Sequence, residues 1–283
     1  MSFGPLISAD AITASTTPLC LIDARAGADV YAAGHLEGAV HADPNRDLST
    51  ALTPGFDPAR GGRHPLPTPA TWAARLGAWG IGRETRVVAY DDDPGPGGAC
   101  RLWWMLRAFG HASVAVLDGG LRAARAAGLR VTPIAPTPHI VPPYPCGHWL
   151  LPVVDLDTVA RRLGDPDWKV LDVRARERWR GELEPLDPVA GRIPGTVNLP
   201  FGENLALEGR FKGADELRRM YLGVLGTARP EHLIVHCGSG VTACHTLLAL
   251  ERAGLAGAAL YVGSYSEWCR SGRPLRRGAD PRE

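Results

Sequence analysis

The feature that most constrains this chain is that its sequence is written twice. Leu21-Ile22-Asp23-Ala24-Arg25 has a counterpart in Leu171-Asp172-Val173-Arg174, each an apolar run closing on Asp-x-Arg. Gly34-His35-Leu36-Glu37-Gly38-Ala39-Val40 returns as Gly191-Arg192-Ile193-Pro194-Gly195-Thr196-Val197. Val87-Val88-Ala89-Tyr90-Asp91 aligns with Ile234-Val235-His236-Cys237, and an apolar helical run follows in each copy, over 101–109 and 242–253. A short strand and a glycine turn come next, Ala115-Val116-Leu117-Asp118-Gly119-Gly120 against Leu260-Tyr261-Val262-Gly263-Ser264. Order preserved over the whole length marks two copies of one folding unit. Short apolar strands alternating with helical patterns predict an α/β unit, a mostly parallel sheet with helices on both faces. The chain has 283 residues, enough for two such domains, each with its own core. We expect an N-terminal domain over 1–132 and a C-terminal domain over 153–283. The segment 133–152 between them holds seven prolines and reads as a stiff linker.

Charge and composition exclude several classes of function. The net charge is +1, so the chain has no electrostatic footprint for nucleic acid or an anionic membrane surface. No apolar stretch approaches the roughly 20 residues that cross a bilayer, and the N-terminus lacks a basic segment followed by an apolar core. The expectation is a cytoplasmic protein. Six cysteines without a C-x-x-C pair suit a reducing compartment, and point neither to a disulfide scaffold nor to zinc.

One cysteine stands apart. Cys237 ends an apolar strand and opens Gly238-Ser239-Gly240-Val241-Thr242 ahead of a helical run. Unpaired N–H groups and the helix dipole at such a junction favour an anion, which makes a thiol a nucleophile. In parallel sheets ligands also bind beyond the carboxyl ends of the strands. The plain alternative is a buried cysteine in a strand-to-helix turn. Glycines that permit close backbone approach, and two added hydroxyls, argue for chemistry.

The first copy has Asp91 where the second has Cys237, and a carboxylate cannot replace a soft sulfur nucleophile. That half reads as catalytically silent. Its loop Asp91-Asp92-Asp93-Pro94-Gly95-Pro96-Gly97-Gly98 suggests two further readings. A magnesium site on Asp91 and Asp93 lacks the additional oxygen ligands such ions take. A phosphate cradle on Gly95 to Gly98 lacks the Gly-Lys-Ser/Thr ending. The Asp-x-Arg pairs occur in both copies while the cysteine occurs in one, so Asp23, Arg25, Asp172 and Arg174 read as structural ion pairs.

The duplicated unit, the Asp-x-Arg strands, the Gly-x-Ile-Pro-Gly turn and the Cys-Gly-Ser-Gly-Val-Thr loop together resemble a two-domain rhodanese-type sulfurtransferase. The likeness covers almost the whole chain. The neutral loop resembles the 3-mercaptopyruvate branch, since the thiosulfate branch carries a basic one. The resemblance implies a double displacement without metal or organic cofactor. Cys237 takes a sulfur atom from a small anionic donor as a persulfide and yields it to cyanide, a thiol or a thioredoxin-like acceptor. The backbone of Gly238, Gly240, Val241 and Thr242 is then expected to surround the charged sulfur, with the Ser239 and Thr242 hydroxyls. Through the resemblance, His64 joins Cys237 and Ser239 in a proton relay supported by Asp43, although a histidine before a proline is otherwise an ordinary surface residue. Arg180, in Arg178-Trp179-Arg180-Gly181, matches the arginine that grips the donor's anionic group, as a planar guanidinium suits. The mercaptopyruvate branch has a second arginine a few residues on, where this chain has Leu186. Arg192 is a candidate to compensate.

Three rivals stand beside this reading. A cysteine phosphatase needs an arginine six residues after the cysteine, and position 243 is alanine. A thiosulfate:cyanide sulfurtransferase differs only in donor. A non-enzymatic sulfur-relay module would pass its persulfide to one protein partner.

Overall fold

Both halves of the chain build the same five-stranded parallel sheet in this computed structural model, which describes residues 4–92 and 97–279. The chain forms two compact units. One comprises Met1–Thr50, Pro67–Leu151 and Ala206–Phe211; the other comprises Ala51–Leu66, Pro152–Leu205 and Lys212–Glu283.

In the first unit the order is β1 (Leu6–Ile7), α1 (Ala9–Thr13), β2 (Cys20–Asp23), α2 (Ala28–Ala33), β3 (His35–Leu36), β4 (Val40–His41), α3 (Pro69–Ala78), β5 (Val87–Tyr90), α4 (Gly98–Ala108), β6 (Val114–Leu117), α5 (Gly120–Ala126) and β7 (Val131–Thr132). The sheet runs β1-β6-β5-β2-β4, all parallel, and β3 pairs antiparallel with β7. Every residue of β5 and β6 is buried, as expected of central strands covered on both faces.

The second unit repeats the plan with β8 (Val153–Val154), α6 (Leu156–Arg162), β9 (Lys169–Asp172), α7 (Arg176–Arg180), β10 (Val197–Asn198), α8 (Ala214–Leu225), β11 (Leu233–His236), α9 (Ala243–Arg252), β12 (Ala259–Tyr261) and α10 (Ser264–Trp268). Its sheet, β8-β12-β11-β9-β10, matches the first strand for strand. The central strand β11 is wholly buried, and so is α9 from Ala243 to Leu250, a helix apolar on nearly all sides. Val159, Val170, Ile193, Ile234, Tyr261, Tyr265 and Trp268 form part of the core around it.

The Asp-x-Arg pairs are the structural groups the sequence suggested. Arg25 donates to Asp23 through Nε at 3.0 Å and Nη2 at 2.6 Å, and Nη2 also reaches the Gly34 carbonyl. Arg174 treats Asp172 and the Gly191 carbonyl in the same way, with Nη2 2.6 Å from Asp172. Each pair fastens the end of a central strand to the turn that follows in its own copy. The proline-rich stretch packs against the first unit rather than standing clear of it. Val141, Tyr144 and Leu150 donate backbone bonds to Gly77, Ala73 and Ala108, and Trp149 stacks on Trp104. Among the described residues no helix is long and apolar enough to cross a membrane.

Behind α9 lies a closed polar network. The Tyr221 hydroxyl donates to Asn204 Oδ1 at 2.6 Å, and Asn204 Nδ2 donates to His245 Nδ1 at 3.1 Å, which requires that nitrogen to be unprotonated. Burial pushes His245 down to about 3. The unfolded chain binds this proton near pH 6.5 and the folded chain does not until near pH 3, so folding weakens as pH falls between them. One such histidine contributes about 2 kcal/mol between pH 7 and pH 5. Urea unfolding at these two pH values should show a lower midpoint at pH 5, and His245→Gln should shrink the difference, leaving the shares of the buried His111 and His236. An unchanged difference in the variant would overturn this assignment.

Candidate active site

Cys237 sits at the carboxyl end of β11, 1% exposed, and its loop is fixed by main-chain bonds. Its N–H donates to Ser264 Oγ at 3.2 Å, its carbonyl accepts from Tyr265 N at 3.0 Å, and the Gly238 carbonyl accepts from Ser266 N at 2.9 Å. The chain then turns back, so that Gly240 N donates to Cys237 Sγ at 3.1 Å. That contact is the anion-favouring geometry expected of the junction. Gly240 has φ +78°, and a Cβ there would lie 2.6 Å from the Val262 carbonyl oxygen, so both conformation and space require glycine. Val241 and Thr242 are half-buried, and their carbonyls accept from Cys244 and His245 as α9 begins. Thr242 makes no side-chain capping bond.

Ser264 is the one non-glycine residue with positive φ among those described, at 54°. It holds that conformation while its hydroxyl accepts from Cys237 N and donates to the Tyr261 carbonyl. Backbone strain of this kind gathers where a site needs an exact shape.

His64 belongs to the same unit as Cys237 through the segment Ala51–Leu66. Its Nδ1 lies 2.8 Å from Ser239 Oγ. The approach is set by the turn before it. Gly61 N donates to Glu267 Oε1 at 2.8 Å, while Glu267 Oε2 accepts from the Tyr261 hydroxyl at 2.9 Å. A Cβ on Gly62, at φ +76°, would come within 2.2 Å of the Gly263 carbonyl oxygen. Two residues thus act on the site without any motif to reveal them, Ser264 and Glu267. Ser264 is marked in sequence only by its place in the glycine turn that both copies share, and Glu267, three residues further on in α10, carries no such mark.

The arginines are arranged differently from expectation. A Cβ built on Gly238 would find Arg63 Nη2 at 3.0 Å and the two terminal nitrogens of Arg178 at 3.3 and 3.4 Å, its three nearest atoms. Arg178 is held by Glu184, with Nη2 at 2.6 Å and Nε at 3.2 Å. Arg180, the arginine singled out from sequence, lies one turn-end further along, with Glu182 4.0 Å away and its carbonyl accepting from Gly278 N. The Arg-x-Arg-Gly motif carries two arginines two residues apart, and sequence gave no means of choosing between them. Arg192 is engaged elsewhere: it stacks over Trp179 at 4.1 Å and donates to the Gly278 carbonyl.

Asp43 lies in the first unit, where its carboxylate accepts from the backbone N–H groups of Gly27, Asn45 and Arg46. Burial works to raise this carboxyl, and those three bonds hold it below its ordinary range. In the same unit Asp91 Oδ2 accepts from Ala99 N at 3.0 Å in the first turn of α4. A carboxylate there occupies the junction that a thiol occupies in the other copy. Asp93 and Gly95, on which the magnesium and phosphate readings turned, lie outside the described residues. Among the described residues no cluster of three or more histidine, cysteine or acidic side chains is grouped to hold a metal.

Beneath the thiol, His236 is fully buried, with Nδ1 3.2 Å from the Cys237 carbonyl and Nε2 3.8 Å from Asp172. Burial pushes its protonation down, so it stands neutral. Burial also works to raise Asp172, but the Arg174 guanidinium holds the carboxyl below its ordinary range.

Because Gly240 is fixed by both φ and contact, Gly240→Ala should cost about 1–3 kcal/mol of stability and displace the N–H that faces the sulfur. Thermal unfolding and the reactivity of Cys237 toward iodoacetamide check this. A variant of unchanged stability and unchanged alkylation rate would contradict it.

Comparison with known proteins agrees with the duplicated architecture. The rhodanese-like domain matches the chain twice, over residues 8–127 and 155–271. A probable 3-mercaptopyruvate sulfurtransferase of Pseudomonas aeruginosa is 41% identical, covering 98% of this chain and 100% of the relative. A putative thiosulfate sulfurtransferase of Mycobacterium tuberculosis is 38% identical, covering 92% of each. Among solved structures, a 3-mercaptopyruvate sulfurtransferase from Leishmania major superposes with a TM-score of 0.80 at 29% identity, covering 96% of this chain and 75% of that one. With two copies of the domain in tandem and relatives of this closeness along nearly its full length, the chain belongs to the rhodanese-like family, as a two-domain rhodanese-type sulfurtransferase.

Proposed function

We propose that this protein transfers sulfur from 3-mercaptopyruvate to a thiophilic acceptor through a persulfide on Cys237. The observation that carries the reading is the 2.8 Å contact between His64 Nδ1 and Ser239 Oγ, two residues from the thiol. The two candidate donors make different demands. Thiosulfate releases sulfite, a stable anion that needs no proton. Mercaptopyruvate releases a carbon anion, the pyruvate enolate, which must be protonated. A hydroxyl–imidazole pair beside the sulfur suits the second demand.

The steps balance without a cofactor. The Cys237 thiolate attacks the donor's thiol sulfur, forming an S–S bond as the S–C bond breaks, and the electron pair passes to the departing carbon. The proton from the donor's thiol, routed through Ser239 and His64, turns the enolate into pyruvate. The outer sulfur remains on Cys237, and its negative charge faces the N–H side of the loop, which Gly240 N marks at 3.1 Å from Sγ. An acceptor thiolate, cyanide or a thioredoxin-like thiol then attacks that outer sulfur and restores the Cys237 thiolate. We assign the grip on the donor's carboxylate to Arg178 rather than Arg180, because Arg178 approaches Gly238. Asp43 is assigned the role of shaping its own turn. Six cysteines without a C-x-x-C pair suit a reducing compartment such as the cytoplasm.

Steady-state transfer to cyanide with the two donors in parallel tests the reading. Cys237→Ser should abolish both reactions. His64→Gln should lower kcat with mercaptopyruvate by about 100-fold or more, while thiosulfate turnover changes little. A wild-type preference for thiosulfate, or equal effects of His64→Gln on both donors, would overturn the assignment.

A further inference from the structure

Position 186 is leucine, so α7 and the loop after it offer one arginine, Arg178, to a donor anion where a pair would hold it better. We propose that Arg63, the residue before His64, supplies the second guanidinium and forms with Arg178 a clamp for the carboxylate of the sulfur donor. The proposal rests on the donor reading above and adds a residue that determines specificity.

Three observations carry it. First, Arg63 and Arg178 converge on one spot, since the atoms nearest a Cβ on Gly238 are the terminal nitrogens of these two side chains. Gly238 adjoins the thiol, and having no side chain it leaves that spot open. Second, Arg63 is built into place. Its Nε donates to Asp187 Oδ1 at 3.1 Å and its Nη2 lies 3.4 Å from Asp187 Oδ2. Asp187 follows Leu186 directly, so the segment that lacks the second arginine provides the carboxylate that orients one from elsewhere. Asp187 has no exposed side-chain surface, and it also accepts from Arg270 Nη1 at 2.8 Å. Third, the charges do not cancel. Arg63, Arg174, Arg178 and Arg270 face Asp172, Glu184 and Asp187, while His236 is neutral. The acids are buried, and the Arg63 and Arg178 side chains keep 22% and 17% exposure. One positive charge is therefore left over beside the thiol, on the open side of the cluster. Arginine has five donors in a fixed fork, and the contacts with Asp187 leave some for a second anion.

The test uses the full chain with Cys237→Ser, so that 3-mercaptopyruvate is a ligand and not a substrate, and titrates it by calorimetry. Arg63→Leu should weaken binding by about 10- to 100-fold. Adding Leu186→Arg to Arg63→Leu should restore much of the loss, which a purely structural role for the Arg63–Asp187 pair would not allow. In the chain with Cys237 intact, Arg63→Leu should raise KM for mercaptopyruvate far more than it lowers kcat. Binding that is as strong without Arg63, or absent in the parent as well, would overturn the clamp, and so would a loss confined to kcat. Turnover of mercaptopyruvate by the wild type decides the donor reading separately, so each can fail without the other.

Discussion

The thiol loop is held by backbone, and most of the site depends on that fact. The N–H and carbonyl of Cys237 and the carbonyl of Gly238 all find partners between Ser264 and Ser266. A loop pinned this way can carry glycine, serine and glycine without losing shape, so its side chains are free to serve chemistry. The same segment receives Gly61 through Glu267 and thereby aims His64. A single stretch after β12 consequently positions both Cys237 and His64.

Around the loop, charge is layered by burial. Asp172, Glu184 and Asp187 lie inside, and two of their arginines, Arg63 and Arg178, extend over Gly238. Buried carboxylates are costly unless paired, and here each has at least one guanidinium. The Cys237 sulfur itself faces the Gly240 N–H, 3.1 Å away.

Much of this was legible in the sequence because a repeat is a global signal. The two copies exposed the sheet plan, the structural role of the Asp-x-Arg pairs, and the difference between Asp91 and Cys237. The junction itself could be read from a strand, a glycine loop and a helix in succession. What escaped depended on contacts between residues distant in sequence. Arg178 and Arg180 differ only in which one a helical turn directs toward Gly238. Arg63 stood beside His64 unremarked, because nothing local ties it to Asp187 across more than a hundred residues. The proline-rich stretch was legible as rigid, but its packing along α3 and α4 depends on Tyr144 and Trp149 finding aromatic partners. Ser264 showed only as a member of the repeated glycine turn, since positive φ is expected of glycine and the hydroxyl that offsets it acts through space.

The carboxylate of Asp91 on Ala99 N has a meaning for traffic through the molecule. A duplicated fold begins with two anion-seeking helix ends, and an open one in the first copy would attract small acids. The tethered carboxylate quenches that end from within. The amide of Ala99 is thereby occupied by the chain's own carboxylate, where an open helix end would present it to a small acid from solution.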